Sequence, residues 1–216
     1  MNRQEVIERI RTGGLVPVVR TATGEDALAM SQALFDAGLT TVEIPLTVPG
    51  AVDVIAALAG RFGERLVVGA GTVLTAQAAQ ACIDAGATFI VSPGLDLPTV
   101  AHCRQAQIPI FPGALTPTEV ITAWNAGADM VKIFPASAMG GASYIKALKA
   151  PLPEVEMLPT GGVSVETVPA FIEAGAAALG VGADLVNLKA LREGRLEIIT
   201  ERAQQYLAVL KTARGG

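Results

Sequence analysis

Residues that bind metals or form disulfide bonds are scarce in this 216-residue sequence, which has one histidine and two cysteines. Because no cluster of histidine, cysteine and carboxylate side chains occurs, the usual ligand set of a zinc site is missing, and we expect no metal. The two cysteines, Cys82 and Cys103, lie in separate helix-like segments. This spacing favours a reduced, cytoplasmic protein over a small disulfide scaffold.

Long runs of apolar or basic residues are also absent. No stretch reaches about 18 uncharged apolar residues, so we predict neither a membrane-spanning helix nor a membrane partner. The formal net charge is −4 and lysine and arginine form no run, which argues against a nucleic-acid partner. The first five residues, MNRQE, contain no apolar signal core, so we expect no export.

The sequence is instead rich in apolar residues and glycine, with 51% hydrophobic residues, 23 glycines and a mean hydropathy of +0.48. So apolar a chain folds around a core, and its length suits a single domain over residues 1–216. Short β-branched runs alternate with alanine-rich amphipathic stretches, a pattern typical of parallel strands covered by helices. Eight strands are predicted, over residues 15–20, 41–46, 66–70, 88–92, 108–112, 129–134, 156–160 and 177–181.

Eight strand–helix units predict a single-domain α/β fold, a (β/α)8 TIM barrel near the lower end of that fold's usual size. An extra helix over residues 3–12 precedes the first strand, and residues 1–14 would then cap the bottom of the barrel. Residues such as Thr116 and Ser164 stand where later helices would begin. A doubly wound open sheet is the alternative, but its glycine-rich first turn of the dinucleotide-binding type is missing.

An internal repeat supports the barrel. A helix-ending Ala-Gly pair precedes a strand four times, and its glycine takes the position where a helix end needs a left-handed backbone. Alternate strands of such a barrel contribute the four side chains of one interior layer. The position five residues after each of these glycines is then shared by the four strands. If this shared position faces inward, the glutamate and the lysine found there lie in one layer on opposite walls, within reach of each other. The glycines are Gly38, Gly86, Gly127 and Gly175, and the shared position holds Glu43, Val91, Lys132 and Gly180.

Lys132 is the outlier of the sequence, because it stands in the strand MVKIF (130–134), whose other members are all apolar. Burial disfavours an ammonium ion, so a lysine inside the barrel would be a nucleophile near neutral pH. We therefore predict a catalytic role for Lys132. The alternative is a lysine at the strand edge or facing the helices, whose stem packs while its ammonium group reaches water.

Glu43 is a second charged residue in an apolar strand, TVEIPL (41–46). A carboxylate near an amine that becomes an imine can carry protons, directly or through one water molecule. Glu43 is therefore the predicted general acid/base. A structural buried ion pair is the alternative, although such pairs add little stability.

Two glycine-rich turns, PTGGV (159–163) and GVGAD (180–184), follow the seventh and eighth predicted strands. In phosphate-binding barrels these two loops and the N-terminus of a short extra helix present backbone N–H groups to the anion. We predict a phosphate at these turns and the extra helix over residues 183–189. Asp184 fits beside an anion only if its side chain points away.

Two further residues stand at the carboxyl ends of strands. Thr72 offers a hydroxyl group in a segment of small residues that lets a ligand approach the backbone. Arg20 closes the first predicted strand and is the candidate for binding a substrate carboxylate. For Arg20, a solvated charge at the strand end is the alternative.

Six short motifs occur in order within about residues 15–190: VEIPL (42–46), GAGTV (69–73), VSPG (91–94), FPG (111–113), VKIFPA (131–136) and PTGGV (159–163). Together they resemble the class I 2-keto-3-deoxy-6-phosphogluconate (KDPG) aldolases, a group that includes 4-hydroxy-2-oxoglutarate (KHG) aldolases and a phosphogalactonate branch. The resemblance implies a (β/α)8 barrel that forms a homotrimer, needs no metal or other cofactor, and holds pyruvate as a lysine imine.

The resemblance also implies roles for individual residues. Lys132 resembles the lysine that forms the Schiff base, and Glu43 resembles the general acid/base. The positions that match the pyruvate pocket are Thr72, Pro93 and Phe134. The positions that match the phosphate-binding turns are Gly161, Gly162 and Gly182.

The sequence departs from the family pattern at two positions. A third position helps to distinguish the phosphogluconate branch of the family from the phosphogalactonate branch. Thr47 stands where many members carry arginine, so we expect Arg20 to take over the contact to the substrate carboxylate. Ala183 replaces a frequent serine, so a hydroxyl contact to phosphate is missing at this phosphate-binding position. Thr160, a predicted substrate contact, resembles the phosphogluconate branch, whereas the motifs EIPL (43–46) and YIKALK (144–149) resemble the phosphogalactonate branch.

The predicted reaction is the reversible cleavage of KDPG, a phosphorylated 2-keto acid, to pyruvate and glyceraldehyde 3-phosphate. KHG and the phosphogalactonate epimer are the alternative substrates. From another class, a phosphosugar isomerase or decarboxylase barrel would share the phosphate turns without requiring a lysine imine. A non-catalytic binding trimer would tolerate replacement of Lys132 by alanine.

Overall fold

A computed structural model describes residues 1–215 as alternating parallel strands and α-helices. The strands are β1 (Leu15–Pro17), β2 (Thr41–Pro45), β3 (Val67–Gly71), β4 (Phe89–Val91), β5 (Ile110–Phe111), β6 (Gly113–Ala114), β7 (Val131–Ile133), β8 (Met157–Pro159) and β9 (Leu179–Val181). The helices are α1 (Arg3–Gly13), α2 (Gly24–Asp36), α3 (Ala51–Phe62), α4 (Ala76–Asp84), α5 (Leu97–Gln105), α6 (Pro117–Asn125), α7 (Ala142–Lys149), α8 (Val168–Glu173), α9 (Leu188–Arg192) and α10 (Leu196–Ala213).

The strands follow one another around a closed barrel in chain order. Hydrogen bonds pair β1 with β9, link β2 to β5 in sequence, and link β6 to β8 in sequence. Single parallel bridges join these groups, between Val18 and Glu43 and between Thr160 and Gly180. The predicted (β/α)8 barrel with an extra N-terminal helix is therefore confirmed.

The fifth predicted strand is divided into two parts. β5 pairs with β4, and β6, which begins at Gly113, pairs with β7. Between them Pro112 has no N–H group to donate to a ladder, although its carbonyl accepts a hydrogen bond from the Lys132 backbone N–H at 2.9 Å. The strand therefore changes partner at Pro112, and both parts together occupy one position in the barrel.

Buried apolar side chains form two separate groups. The larger group fills the space between the strands and the surrounding helices. The smaller group fills the amino-terminal half of the barrel interior, with side chains such as Val67, Phe89 and Phe111. Helix α1 adds Val6 and Ile10 to this interior group, so it covers the barrel at the amino ends of the strands. Open space is left at the opposite end.

The repeated glycines end helices α2, α4, α6 and α8 with φ angles from 91° to 100°, as the sequence predicts. Thr116 caps α6, because its hydroxyl accepts a hydrogen bond from the Glu119 backbone N–H. The prediction that a helix starts at Ser164 is wrong. The Ser164 carbonyl accepts hydrogen bonds from two backbone N–H groups in a preceding turn, and α8 begins only at Val168.

Both cysteines are buried and unpaired within residues 1–215, Cys82 in α4 and Cys103 in α5. Burial raises the pKa of the Cys82 thiol to about 11 and that of the Cys103 thiol to about 12. The thiols therefore stay protonated and unreactive at neutral pH. Over the same residues, no helix has the length and apolar character required to cross a bilayer.

Candidate active site

A cavity of about 650 Å³ opens at the carboxyl ends of the strands. Ten of the eleven predicted site residues line it, and the eleventh, Glu43, lies beneath its floor. The lining residues predicted from the sequence are Arg20, Thr72, Pro93, Lys132, Phe134, Thr160, Gly161, Gly162, Gly182 and Ala183. The others are Val18, Val163, Ser164, Gly180, Asp184, Val186 and Leu188.

Lys132 lies at the floor of this cavity and faces Glu43 beneath it. Their Nζ and Oε1 atoms are 4.0 Å apart, and only 7% and 2% of the two side chains are exposed. β7 and β2, which carry them, lie on opposite sides of the barrel, so the predicted approach across the interior is confirmed. The ring of Phe134 lies 5.2 Å from Nζ and shields the amine from one side. A single bridging water or substrate atom can link groups at this separation.

Glycine makes room for the carboxylate of Glu43. Gly71, at the end of β3, packs so closely that a Cβ atom at this position would overlap the Glu43 carboxyl group. A side chain there would push the carboxylate away from Lys132. The sequence indicated that small residues let a ligand approach here, but not that Gly71 clears space for Glu43.

Gly71→Ala is expected to lower kcat by about 10- to 100-fold while the barrel stays folded, because displacing the predicted general acid/base by about 1 Å has effects of this size. Gly60→Ala is the matched control, since Gly60 lies exposed in α3 and a Cβ atom added there would meet nothing within 4 Å. Steady-state kinetics and thermal unfolding of both variants check the prediction. An unchanged kcat for Gly71→Ala would show that the carboxylate position is not critical.

Two buried oxygen atoms near the cavity lack a hydrogen-bond partner within residues 1–215: Oε1 of Glu43 and Oγ1 of Thr160. Buried polar atoms are nearly always hydrogen-bonded, because leaving them unpaired is costly. Both atoms are therefore suited to contact a polar molecule in the cavity.

The cavity wall combines a strained residue with a cation. Thr72 has a φ of 57°, a left-handed conformation that is rare for a β-branched residue and typical of functional sites. Arg20 stands exposed at the rim, and no carboxylate among residues 1–215 pairs with it. Its guanidinium group can therefore bind an anionic group of a ligand.

The two glycine-rich turns lie side by side at the other part of the rim. Gly161 and Gly162 have φ angles of 96° and 76°, so the turn requires glycine at both positions. Within the described residues, the backbone N–H groups of Gly161, Gly162, Gly182 and Ala183 donate no hydrogen bond. Free N–H groups arranged in this way can bind an anion, as the phosphate prediction requires.

The predicted helix over residues 183–189 is wrong. A single turn follows Gly182, whose carbonyl accepts a hydrogen bond from the Val186 backbone N–H at 3.0 Å. The Asn187 side chain then accepts a hydrogen bond from the Ala190 backbone N–H, which starts the separate helix α9 at Leu188. Asn187 thus acts as an N-cap and divides the segment into two parts.

Asp184 lies at the second turn, and its carboxylate points away from the turn to α10, as its predicted fit beside an anion requires. Arg202 binds both carboxylate oxygens, at 2.8 Å from Nη2 to each, and the Tyr206 hydroxyl donates to Oδ2. The sequence did not indicate Arg202 or Tyr206, because α10 lies outside the motifs and its contacts with the turns are distant in the chain. Ser164 was likewise missed, although it directly follows the first turn.

Comparisons with known proteins agree in one family. Residues 6–202 match the family model described as "Aldolase: KDPG and KHG aldolase". Among curated proteins, the 2-dehydro-3-deoxy-6-phosphogalactonate aldolase of Escherichia coli (strain K12) is 38% identical, over 93% of this chain and 94% of its own. The 2-dehydro-3-deoxy-phosphogluconate aldolase of Treponema pallidum (strain Nichols) is 34% identical, over 95% of this chain and 96% of its own.

Solved structures show the same similarity. A KDPG aldolase from Legionella pneumophila, with pyruvate captured as a covalent carbinolamine, is 29% identical, with a TM-score of 0.83 over 97% of this chain and 98% of its own. A cube-shaped protein cage, designed by fusing symmetric oligomeric domains, contains a chain that is 34% identical. Its TM-score is 0.84, over 93% of this chain and 73% of its own.

Proposed function

This chain belongs to the KDPG and KHG aldolase family and is an aldolase, and on that premise we propose that it cleaves KDPG through an imine on Lys132. The reaction is reversible and yields pyruvate and glyceraldehyde 3-phosphate. One observation carries the proposal: an enclosed amine faces a buried carboxylate at 4.0 Å, at the floor of a cavity whose rim presents free N–H groups.

The covalent steps follow from the positions of the two groups. Lys132 Nζ attacks the C2 ketone of KDPG to form a carbinolamine, which loses water to form a protonated imine. Glu43 takes the proton of the C4 hydroxyl group, the C3–C4 bond breaks, and its electron pair moves into the imine to form an enamine. Protonation of C3 and hydrolysis then release pyruvate and restore the amine.

The ends of the substrate are held apart from the reacting carbons. The phosphate binds the N–H groups of the two turns, with Gly161, Gly162, Gly182 and Ala183 as ligands. Arg20 binds the substrate carboxylate, and Thr72, Pro93, Phe134 and Thr160 surround the carbon chain. Contacts at both ends fix the C3–C4 bond relative to the imine, which lowers the entropic part of the barrier. No metal takes part in these steps.

The alternative substrates are the phosphogalactonate epimer and KHG, and the sequence and the structure argue for or against each. The EIPL and YIKALK motifs resemble the phosphogalactonate branch, and the 38% identity to the Escherichia coli enzyme of that branch favours the same epimer. KHG lacks the phosphate and would leave the glycine turns unused. Thr160 lines the cavity, and its resemblance to the phosphogluconate branch favours the phosphogluconate epimer.

We expect turnover to be faster with KDPG than with the phosphogalactonate epimer or KHG, in an assay that couples pyruvate to lactate dehydrogenase. Borohydride added with pyruvate should reduce the imine and add one pyruvyl mass to the peptide that contains Lys132. A faster rate with either alternative would change the substrate assignment within the family. If borohydride produced no adduct on Lys132, the result would favour a phosphosugar isomerase or decarboxylase. If none of the three substrates were turned over, the result would favour a non-catalytic binding trimer.

We propose that residues 1–216 form one catalytic domain and that three copies form a homotrimer in the cytoplasm. The oligomeric domain of the similar cage chain supports the assembly. Exposed apolar side chains at the carboxyl end of the barrel, Leu74 and Leu97 among them, offer surface for contacts between copies.

A further inference from the structure

Three side chains form a polar cluster behind the second phosphate turn: Asp184, and Arg202 and Tyr206 from α10. We call it the Asp184 cluster. Arg202 holds the carboxylate through Nε at 3.2 Å and Nη2 at 2.8 Å, and the Tyr206 hydroxyl donates to the same carboxylate. The guanidinium group also stacks on the Tyr206 ring, with Cζ 5.6 Å from its centroid. Each member of the cluster therefore contacts the other two.

Tyr206 joins the two phosphate turns to each other. Its side chain is fully buried, and its hydroxyl oxygen lies 3.3 Å from the carbonyl oxygen of Val163 in the first turn. The same hydroxyl reaches Asp184 in the second turn. This one side chain therefore contacts both turns from behind, next to the bridge that joins Thr160 to Gly180.

The cluster also sets the charge beside the phosphate site. Burial of Asp184 favours its neutral form, but hydrogen bonds from Arg202 and Tyr206 outweigh this effect and hold the pKa of Asp184 below its usual value. Asp184 is therefore a carboxylate at neutral pH, although it lines the cavity next to Ala183. Without a cation, that charge would repel a phosphate. Arg202 pairs with it directly and lies 3.8 Å from Glu166 as well.

We propose that the Asp184 cluster is a positioning device for phosphate. Tyr206 holds the two turns at the distance that lets both sets of N–H groups reach one anion, and Arg202 cancels the negative charge of Asp184. Tyr206 and Arg202 are positioning residues, since neither contacts the reacting carbons. The inference rests on the proposed function in one respect, namely that the substrate carries a phosphate at these turns.

Tyr206→Phe tests the distance between the turns. The loss of one hydrogen bond of this kind is expected to raise the KM for KDPG and the Kd for inorganic phosphate by about three- to tenfold. We expect kcat to change by less than the KM, because Lys132 and Glu43 are untouched. Exchange of the pyruvate methyl protons with deuterium reports on the imine and the enamine without any phosphate, and it should keep a near wild-type rate.

Tyr144→Phe is the matched control. The Tyr144 hydroxyl, on helix α7, donates to the backbone carbonyl of Leu115, and neither residue lines the cavity. It should leave the KM for KDPG and the Kd for phosphate at their wild-type values. If Tyr206→Phe slowed proton exchange and KDPG cleavage equally, its role would be structural support only, and the proposal would be wrong.

Arg202→Gln tests whether Arg202 cancels the negative charge of Asp184. The freed carboxylate should weaken phosphate binding by about tenfold, on the scale of a charged pair that loses its partner. Adding Asp184→Asn removes the negative charge, so the double variant should bind phosphate more tightly than Arg202→Gln alone. Equal or weaker binding by the double variant would contradict charge cancellation, and thermal unfolding would show whether all variants are folded.

The two proposals fail in different ways. If the wild-type protein binds inorganic phosphate in calorimetry but does not cleave KDPG, the proposed substrate is wrong, and the phosphate Kd values of the variants still test the cluster. If the wild-type protein cleaves KDPG and the variants bind phosphate as it does, the cluster proposal is wrong alone. If the wild-type protein does not bind phosphate, the cluster proposal is overturned as well.

Discussion

Lys132→Arg is expected to abolish cleavage, with kcat lowered by roughly 10⁴-fold or more, the scale at which loss of a covalent nucleophile acts. Arginine is also a long, basic side chain, but its guanidinium group stays protonated and cannot attack a ketone. The coupled assay for pyruvate gives the loss of rate. Borohydride with pyruvate should leave the variant at its unmodified mass.

Lys146→Arg is the control for this change, because Lys146 lies on α7 with 72% of its side chain exposed, where it pairs with Glu173. It should keep wild-type turnover and the borohydride adduct. Thermal unfolding should show that both variants are folded. Cleavage by Lys132→Arg at even one-hundredth of the wild-type rate would assign the nucleophile to another residue.

Glu43→Gln is expected to slow cleavage by about 10²- to 10⁴-fold, the usual range for general acid–base catalysis. The amide has nearly the shape of the carboxylate, so it fits the space that Gly71 leaves, but it cannot accept the C4 hydroxyl proton. Exchange of the pyruvate methyl protons should slow as well, because it needs proton transfer at C3. Both rates can be measured on the same sample.

Glu173→Gln serves as its control, since 80% of that side chain is exposed and it pairs with Lys146 at the surface. It should change neither rate. If Glu43→Gln cleaved KDPG at the wild-type rate, another group would carry the proton. If only proton exchange were slowed, Glu43 would act on C3 and not on the C4 hydroxyl.

The barrel and its central pair could be predicted because both follow from regular spacing. Strands recur with one helix between them, and the repeated Ala-Gly pairs mark where helices α2, α4, α6 and α8 end. Counting from these pairs placed Glu43 and Lys132 in one layer, and the 4.0 Å between them agrees. Alternation along a strand decides which side chains face inward, so such a pair can be predicted from the sequence alone.

The features that the sequence did not predict depend on contacts between segments that are distant in the chain. The clearance that Gly71 gives Glu43 requires the register of β2 against β3, which no local pattern contains. Tyr206 and Arg202 act on turns that precede them by many residues. The break at Pro112 depends on a change of strand partner. In each case the deciding neighbour lies in another part of the sequence.

Helix α1 and the interior side chains cover the amino end of the barrel, and the cavity opens at the carboxyl ends of the strands. In the proposed mechanism pyruvate stays bound to Lys132 deep in the cavity, while the phosphorylated aldehyde lies nearer the mouth. Departure is therefore sequential, with the aldehyde leaving before the acid. In the synthetic direction the proposed imine forms first, so we expect pyruvate to bind before the aldehyde.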